Sequence, residues 1–183
     1  MRSHERGIGM NRFITADTVE RCAKDLCDAH LHKMVLEEAQ MLCTTIHEQW
    51  RMVYDDLKQF TPLYKPTHVN HPCRVWAGES ADNFRFAYSL FSAMCDEYTR
   101  RRNRVHKTDQ DLRFTLRALV NQSDFDRLFG RQEMTRHPQC MPDEFKTEEW
   151  MPVTAYRNYM KLHKATVMTM RWSAPASAPI WFN

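Results

Sequence analysis

Apolar and polar positions alternate with a helical period over most of the chain. From Asp28 onward, Leu31, Val35, Ala39, Leu42, Cys43, Ile46, Trp50 and Val53 fall on one side of a 3.6-residue helix. His30, Lys33, Glu37, Gln40 and Thr44 fall on nearly the opposite side. This predicts a long amphipathic helix from about Asp28 to Phe60, with a break near Tyr54. Thr61-Pro62-Leu63-Tyr64-Lys65-Pro66 ends it, because each proline lacks a donor and disfavours helix in the residue before it. A second helix, from about Ser80 to Arg102, carries Phe84, Ala87, Tyr88, Phe91, Cys95 and Tyr98 as a core stripe.

Shorter helices are expected over about Thr108–Asn121 and from Val153 to about His163. Another, capped by Thr15 or Asp17, runs through about Cys27. Residues from about Ser123 to Pro152 hold Pro138, Pro142 and Pro152 with little periodicity, and read as a long irregular segment. Ala174 to Asn183 reads as an extended tail. The fold class is therefore all-α. A compact single domain of about five helices spans 10–183, behind a disordered extension over 1–9. Met10 is an alternative start.

Composition fits this reading. The 183 residues include only 4 Gly, against 12 Met and a 43% hydrophobic content, which favours a helical globular chain over a sheet or a disordered one. No apolar run approaches the roughly 20 residues needed to span a bilayer, and the N-terminus lacks the apolar core of a secretory signal. A soluble monomer in the cytoplasm, with no membrane partner, is the expectation. The six cysteines then read as reduced thiols. Cys22, Cys27 and His30, or His68, His71 and Cys73, are candidate metal ligands by type. Neither trio has a recognised zinc spacing, so no metal and no cofactor is expected.

Charge adds a partner. The net charge is only +3, but Arg100, Arg101, Arg102, Arg104 and Lys107 crowd eight positions without an acid. Such a strip fits a polyanion such as DNA. It also fits a solvated helix end, where cations complement the dipole.

No glycine-rich phosphate loop, nucleophile elbow or metalloprotease motif is present. The chemistry that remains lies on the polar face of the long helix. A carboxylate such as Glu37 in a cleft can stabilise a developing cation or move a proton, and Lys33 one turn away can hold it ionised. The same residues also describe an exposed face with an ion pair worth a few tenths of a kcal/mol, and periodicity alone favours that reading. The His68, Asn70 and His71 loop can present donors to a phosphate or a base, or it can simply cap the next helix. Tyr156, Tyr159, Trp172, Trp181 and Phe182 are candidates for stacking on bases, or for the core.

Leu26-Cys27-Asp28-Ala29-His30-Leu31, followed by Glu37, resembles the start of phage pyrimidine-dimer DNA glycosylases of the endonuclease V type. In that family an Asp-x-His-Leu sequence precedes the catalytic glutamate by the same nine residues. Met10-Asn11-Arg12-Phe13 is similar to the family's Met-Thr-Arg opening. The loop from Tyr64 to Asn70-His71-Pro72 and the Arg100-Arg101-Arg102 helix end look like features of its bacterial members. The likeness covers roughly residues 10–107. The whole chain, with Met141-Pro142-Asp143-Glu144-Phe145-Lys146, also looks like a further group of phage proteins.

The resemblance implies base excision from double-stranded DNA, with the nucleotide flipped from the stack. It gives Glu37 the role of stabilising oxocarbenium character at the sugar. It places Arg12 near the scissile nucleotide with His30 beside it, and assigns the arginine cluster and the tail with Trp181 to the DNA backbone.

One feature departs from the family. Its nucleophile is the α-amine of a processed N-terminal threonine, which forms a Schiff base. Here Asn11 stands in that place, nine residues precede Met10, and the Met10–Asp28 interval is five residues longer. Either Lys33 substitutes for the amine or Glu37 activates water. A DNA-binding or phage–host interaction protein without catalysis, and an enzyme modifying bases or nucleotides, are the alternatives.

Overall fold

The structure is a computed structural model, and it describes residues 10–57, 59 and 63–183, with backbone only at residue 54. The expected extension over 1–9, and the expected helix stop at Phe60 and Thr61-Pro62, lie outside the described residues. The architecture is all-α, with no strand among the described residues.

Among the described residues, seven α-helices of six or more residues carry it: α1 (Val19–Asp25), α2 (Asp28–Gln49), α3 (Arg51–Leu57), α4 (Pro72–Ala77), α5 (Ala81–Arg102), α6 (Lys107–Val120) and α7 (Val153–Tyr159). The two 22-residue helices, α2 and α5, pack against each other. Around this pair, α1 and α6 lie on α5, and α4 lies on α2. One core cluster runs from Phe13 to Met160 and takes residues from nearly every element. None of the described helices is long and apolar enough to cross a membrane.

Local chemistry accounts for the ends. Ser80 caps α5 by accepting from the Asn83 amide, Asp82 sits in its first turn, and Arg100–Arg102 sit in its last. Asn103 then turns left-handed at φ 51° and stops it, as an asparagine tolerates. Pro72 opens α4 behind a His71 cap, so the expected loop over Thr67–Cys73 ends in a helix of its own. The cap of α1 is Thr18, whose hydroxyl accepts from the Arg21 amide, rather than Thr15 or Asp17.

The long helix also breaks earlier than expected, at Trp50, with φ −128° and ψ 66°. The reason is aromatic packing. The Trp50 indole meets Phe84 at 5.2 Å and Phe129 at 4.7 Å, and its N–H donates to the Leu128 carbonyl at 3.0 Å. A straight helix would carry that ring away from these partners.

Two segments without regular structure are tied down by specific side chains. Asn83 donates to Thr135 Oγ1 and to the Trp76 carbonyl, both at 2.7 Å, and accepts from the Thr135 amide at 2.9 Å. This fastens the irregular segment over the start of α5. The C-terminal tail crosses the α1–α2 junction. There Asp28 accepts from the Ser173 hydroxyl at 2.6 Å and the Ser173 amide at 3.0 Å, and Trp181 donates to Asp25 at 2.8 Å.

Candidate active site

The polar face of α2 is covered by protein. The segment from Met10 to Ala16 is buried along its length. Asn11 fixes it by donating to the Cys140 carbonyl at 2.8 Å and accepting from the Tyr156 hydroxyl at 3.0 Å. Arg157 donates to the Thr15 carbonyl at 2.7 Å. On the other flank, the Thr67 amide donates to Thr44 Oγ1 at 3.1 Å and holds the 63–70 loop against α2.

Glu37 lies between these covers and is 8% exposed. Its Oε1 meets Lys33 Nζ at 2.8 Å, while Oε2 is buried without a hydrogen bond. Burial raises the pKa of this carboxyl, against the opposing pull of Lys33, the Asn11 backbone amide and His68. His30, about two turns earlier on the same face, is 1% exposed and 4.9 Å from the Phe13 ring. Burial first, and then the charges of Lys164 and Lys33, lower its pKa to about 4, so it is a neutral imidazole at pH 7.

A residue that sequence reasoning missed completes the cluster. Lys164 is 7% exposed, at the end of a single π-helical turn (Met160–Lys164) that continues α7. Its ammonium lies over the Tyr159 ring at 5.1 Å. Burial and then Lys33 lower its pKa, and Glu37 works in the other direction. Such turns recur at functional sites, but no local pattern in the sequence marks this one. The arrangement is a buried carboxylate paired with a one-third-exposed amine, with a second, buried amine within electrostatic reach and a neutral imidazole on the same helix face.

The neighbouring acid behaves differently. Glu38 projects about 100° further round α2 and forms a fully buried ion pair with Arg12. Arg12 also donates to the Cys73 carbonyl at 3.2 Å and lies over the Trp76 ring at 5.1 Å. Burial works against its charge, but Glu38 more than offsets this and raises its pKa. Arg12, assigned to DNA on the resemblance, is thus committed inside the protein, and no part of its side chain is exposed.

The arginine cluster divides in the same way. Arg101 is 7% exposed. It donates to Glu97 at 2.6 Å and to the carbonyls of Leu26 at 2.7 Å and Lys24 at 2.8 Å. It also pairs with Asp28 at 3.3 Å. These bonds tie α5 to the α1–α2 turn and leave the guanidinium no face for DNA. Arg102 and Arg104 instead line an open cleft of about 830 Å³ with His32, Tyr98 and a third arginine, Arg171 from the tail. Arg100 is exposed and paired with Glu97, and Lys107 is exposed and paired with Asp111. Trp181 is held by Asp25 and lies under Arg157 at 5.6 Å, so it serves to dock the tail.

In the loop, His68 and Asn70 are exposed, and His68 adopts φ 49°. His71 is half-buried and caps α4. The structure therefore gathers Glu37, Lys33 and His30, with Lys164, at one place, and Arg102, Arg104 and Arg171 at another. His32 in the cleft wall is five residues from Glu37 on α2, about 7.5 Å along the axis. Glu37, Lys33 and His30 are not themselves walls of the cleft.

The chain matches no protein-family model, no curated protein and no solved structure.

Proposed function

We propose that the protein is a DNA glycosylase-like enzyme that excises a damaged or modified pyrimidine from double-stranded DNA. One observation carries this reading: Glu37 is a buried carboxylate paired with Lys33 at 2.8 Å and within electrostatic reach of the buried Lys164, on the helix that also walls an arginine-lined cleft.

The roles follow from the chemistry. Phosphates lie along Arg102, Arg104 and Arg171. The target nucleotide leaves the stack and reaches Glu37 once the covering side chains move aside. As the C1′–N bond breaks, the base departs with the bonding electron pair and takes up a proton. Positive charge grows on the sugar, and the carboxylate of Glu37 opposes it. An amine with a lowered pKa is more often neutral, and so better able to attack C1′, form the C1′–N bond and lose its proton. Lys164 meets that description, and it is buried where Lys33 is one-third exposed. Opening of the sugar then gives the Schiff base that permits strand cleavage.

The test is incubation with ultraviolet-irradiated duplex and with duplexes carrying modified pyrimidines, in the presence of borohydride. Abasic sites and a trapped adduct are expected. The adduct should vanish in Lys164→Met and persist in Lys33→Met. No abasic site from any duplex, with Glu37→Gln indistinguishable from wild type, removes the enzymatic reading.

The separation of the arginine cleft from Glu37 favours a second reading, a DNA-binding protein without catalysis. It requires steeply salt-dependent affinity that survives Glu37→Gln unchanged, with no product formed.

A further inference from the structure

Cys73, at the second position of α4, and Cys140, in the irregular segment, are 67 residues apart in sequence, yet their sulfurs lie 3.5 Å apart. His71 stands beside them. One ligand atom from each of the three lies within 4.8 Å of the others. We propose that His71, Cys73 and Cys140 form a binding site for a thiophilic divalent metal of the Zn²⁺ class.

The distances fit the chemistry. Zinc takes thiolate sulfur at about 2.3 Å and imidazole nitrogen at about 2.0 Å, so two sulfurs on one tetrahedral ion stand roughly 3.8 Å apart. The observed separation needs only a small side-chain rotation. It is far from the roughly 2.05 Å of a disulfide, and all six cysteines are free thiols. Two sulfurs and an imidazole select zinc-like ions over Mg²⁺ or Ca²⁺, which prefer oxygen.

The surroundings suit a charged centre that is closed on one side. Met10 and Met41 pack against Cys73 and Cys140 and give the sulfurs an apolar shell. Arg12, on the other side, favours thiolate at both cysteines, and Lys146 favours it at Cys140. Burial drives the Cys73 thiol up, and the hydrogen bond with Cys73 draws Cys140 down. Binding releases the thiol protons and places two thiolates on a dication, a neutral unit. His71 now accepts from the Cys73 amide at 3.2 Å and also meets the Met10 carbonyl, and the metal replaces one of these hydrogen bonds.

The ion clamps the irregular segment to α4 directly behind Asn11, whose side chain donates to the Cys140 carbonyl. It is independent of base excision, and either proposal can fail alone.

The experiment uses the untagged full chain, purified under reductant, with Zn²⁺ and Co²⁺ as probes and Mg²⁺ as the control. One zinc per chain is expected, with a higher melting temperature that a chelator reverses. The Co²⁺ adduct should show a thiolate charge-transfer band and the visible bands of a tetrahedral ion. Cys140→Ser and His71→Ala should lose or weaken all three signals, while His68→Ala, a histidine outside the trio, should keep them. Should those variants fail to fold, alkylation of the wild-type protein decides: zinc must protect Cys140 from iodoacetamide. Equal zinc uptake by wild type and Cys140→Ser, a Co²⁺ spectrum without the thiolate band, or an unprotected Cys140 overturns the proposal.

Discussion

Lys33 and Glu37, one turn apart on α2, meet at 2.8 Å in a pair whose lysine is one-third exposed and whose carboxylate is buried. The attraction does not fully compensate the carboxylate, because its second oxygen has no hydrogen bond and its pKa remains raised by burial. An exposed pair of this spacing would be worth a few tenths of a kcal/mol and would mean little. Here the next residue, Glu38, shows what a structural carboxylate in the same helix looks like, with Arg12 bonded to both of its oxygens.

The two acids should therefore separate cleanly on substitution. Glu37→Gln removes a carboxylate that is incompletely satisfied, so excision should disappear with stability changed by about 1 kcal/mol or less. Glu38→Gln leaves Arg12 buried without its counter-charge and should cost about 3–5 kcal/mol. Denaturant unfolding of both variants, beside the abasic-site assay, checks the pair. Equal destabilisation by the two would refute the distinction.

Stability should fall in mild acid because of His30. Its folded pKa of about 4 lies below the usual 6.5. The unfolded chain therefore binds the proton more readily, and the contribution of the neutral ring is complete above pH 6.5. It is lost as the pH drops from there toward about 4, by something on the order of 3 kcal/mol. His30→Gln, which stays neutral throughout, should flatten the stability profile across that window. An unchanged slope would show that His30 titrates normally.

Replacing Arg102, Arg104 or Arg171 by alanine should weaken binding to any duplex. The slope of log affinity against log salt should fall by about one for each phosphate that is no longer neutralised. Fluorescence anisotropy over a salt series measures it. A slope unaffected by all three would place the DNA path elsewhere.

Arg101→Ala should do the opposite: little change in the salt slope, but about 3 kcal/mol less stability. It strips the buried carboxylate of Glu97 of one of its two arginines, and it strips Asp28 and the Leu26 and Lys24 carbonyls of a donor. Thermal and denaturant melts report this directly, and a melt identical to wild type would contradict the assignment.

How much of this was legible depended on the range of the interaction. The stripe Phe84, Ala87, Tyr88, Phe91, Cys95 and Tyr98 determined α5, and Ser80 and the arginines marked its two ends, because capping and periodicity are local. The apolar stripe of α2 was equally plain, and so was the all-α class. The halt at Trp50 was not, since it depends on Phe84, Phe129 and the Leu128 carbonyl arriving from far along the chain. Nor could spacing tell which arginine of three neighbours turns inward. That choice falls to Arg101 because the α1–α2 turn supplies two carbonyls and Asp28 at its place on the helix.

The sequence by itself determined which residues share a face; its periodicity left Glu37 one of a row of charges, and only the family resemblance gave it a role. Only the tertiary structure decided that the face is buried under Met10–Ala16, that Lys164 joins it, and that Cys140 comes to Cys73. Burial is what turns these residues from a solvated surface into a site, because removing water is what shifts a carboxyl, an imidazole and an amine away from their ordinary values. That removal is accomplished by segments distant in sequence, which no local pattern encodes.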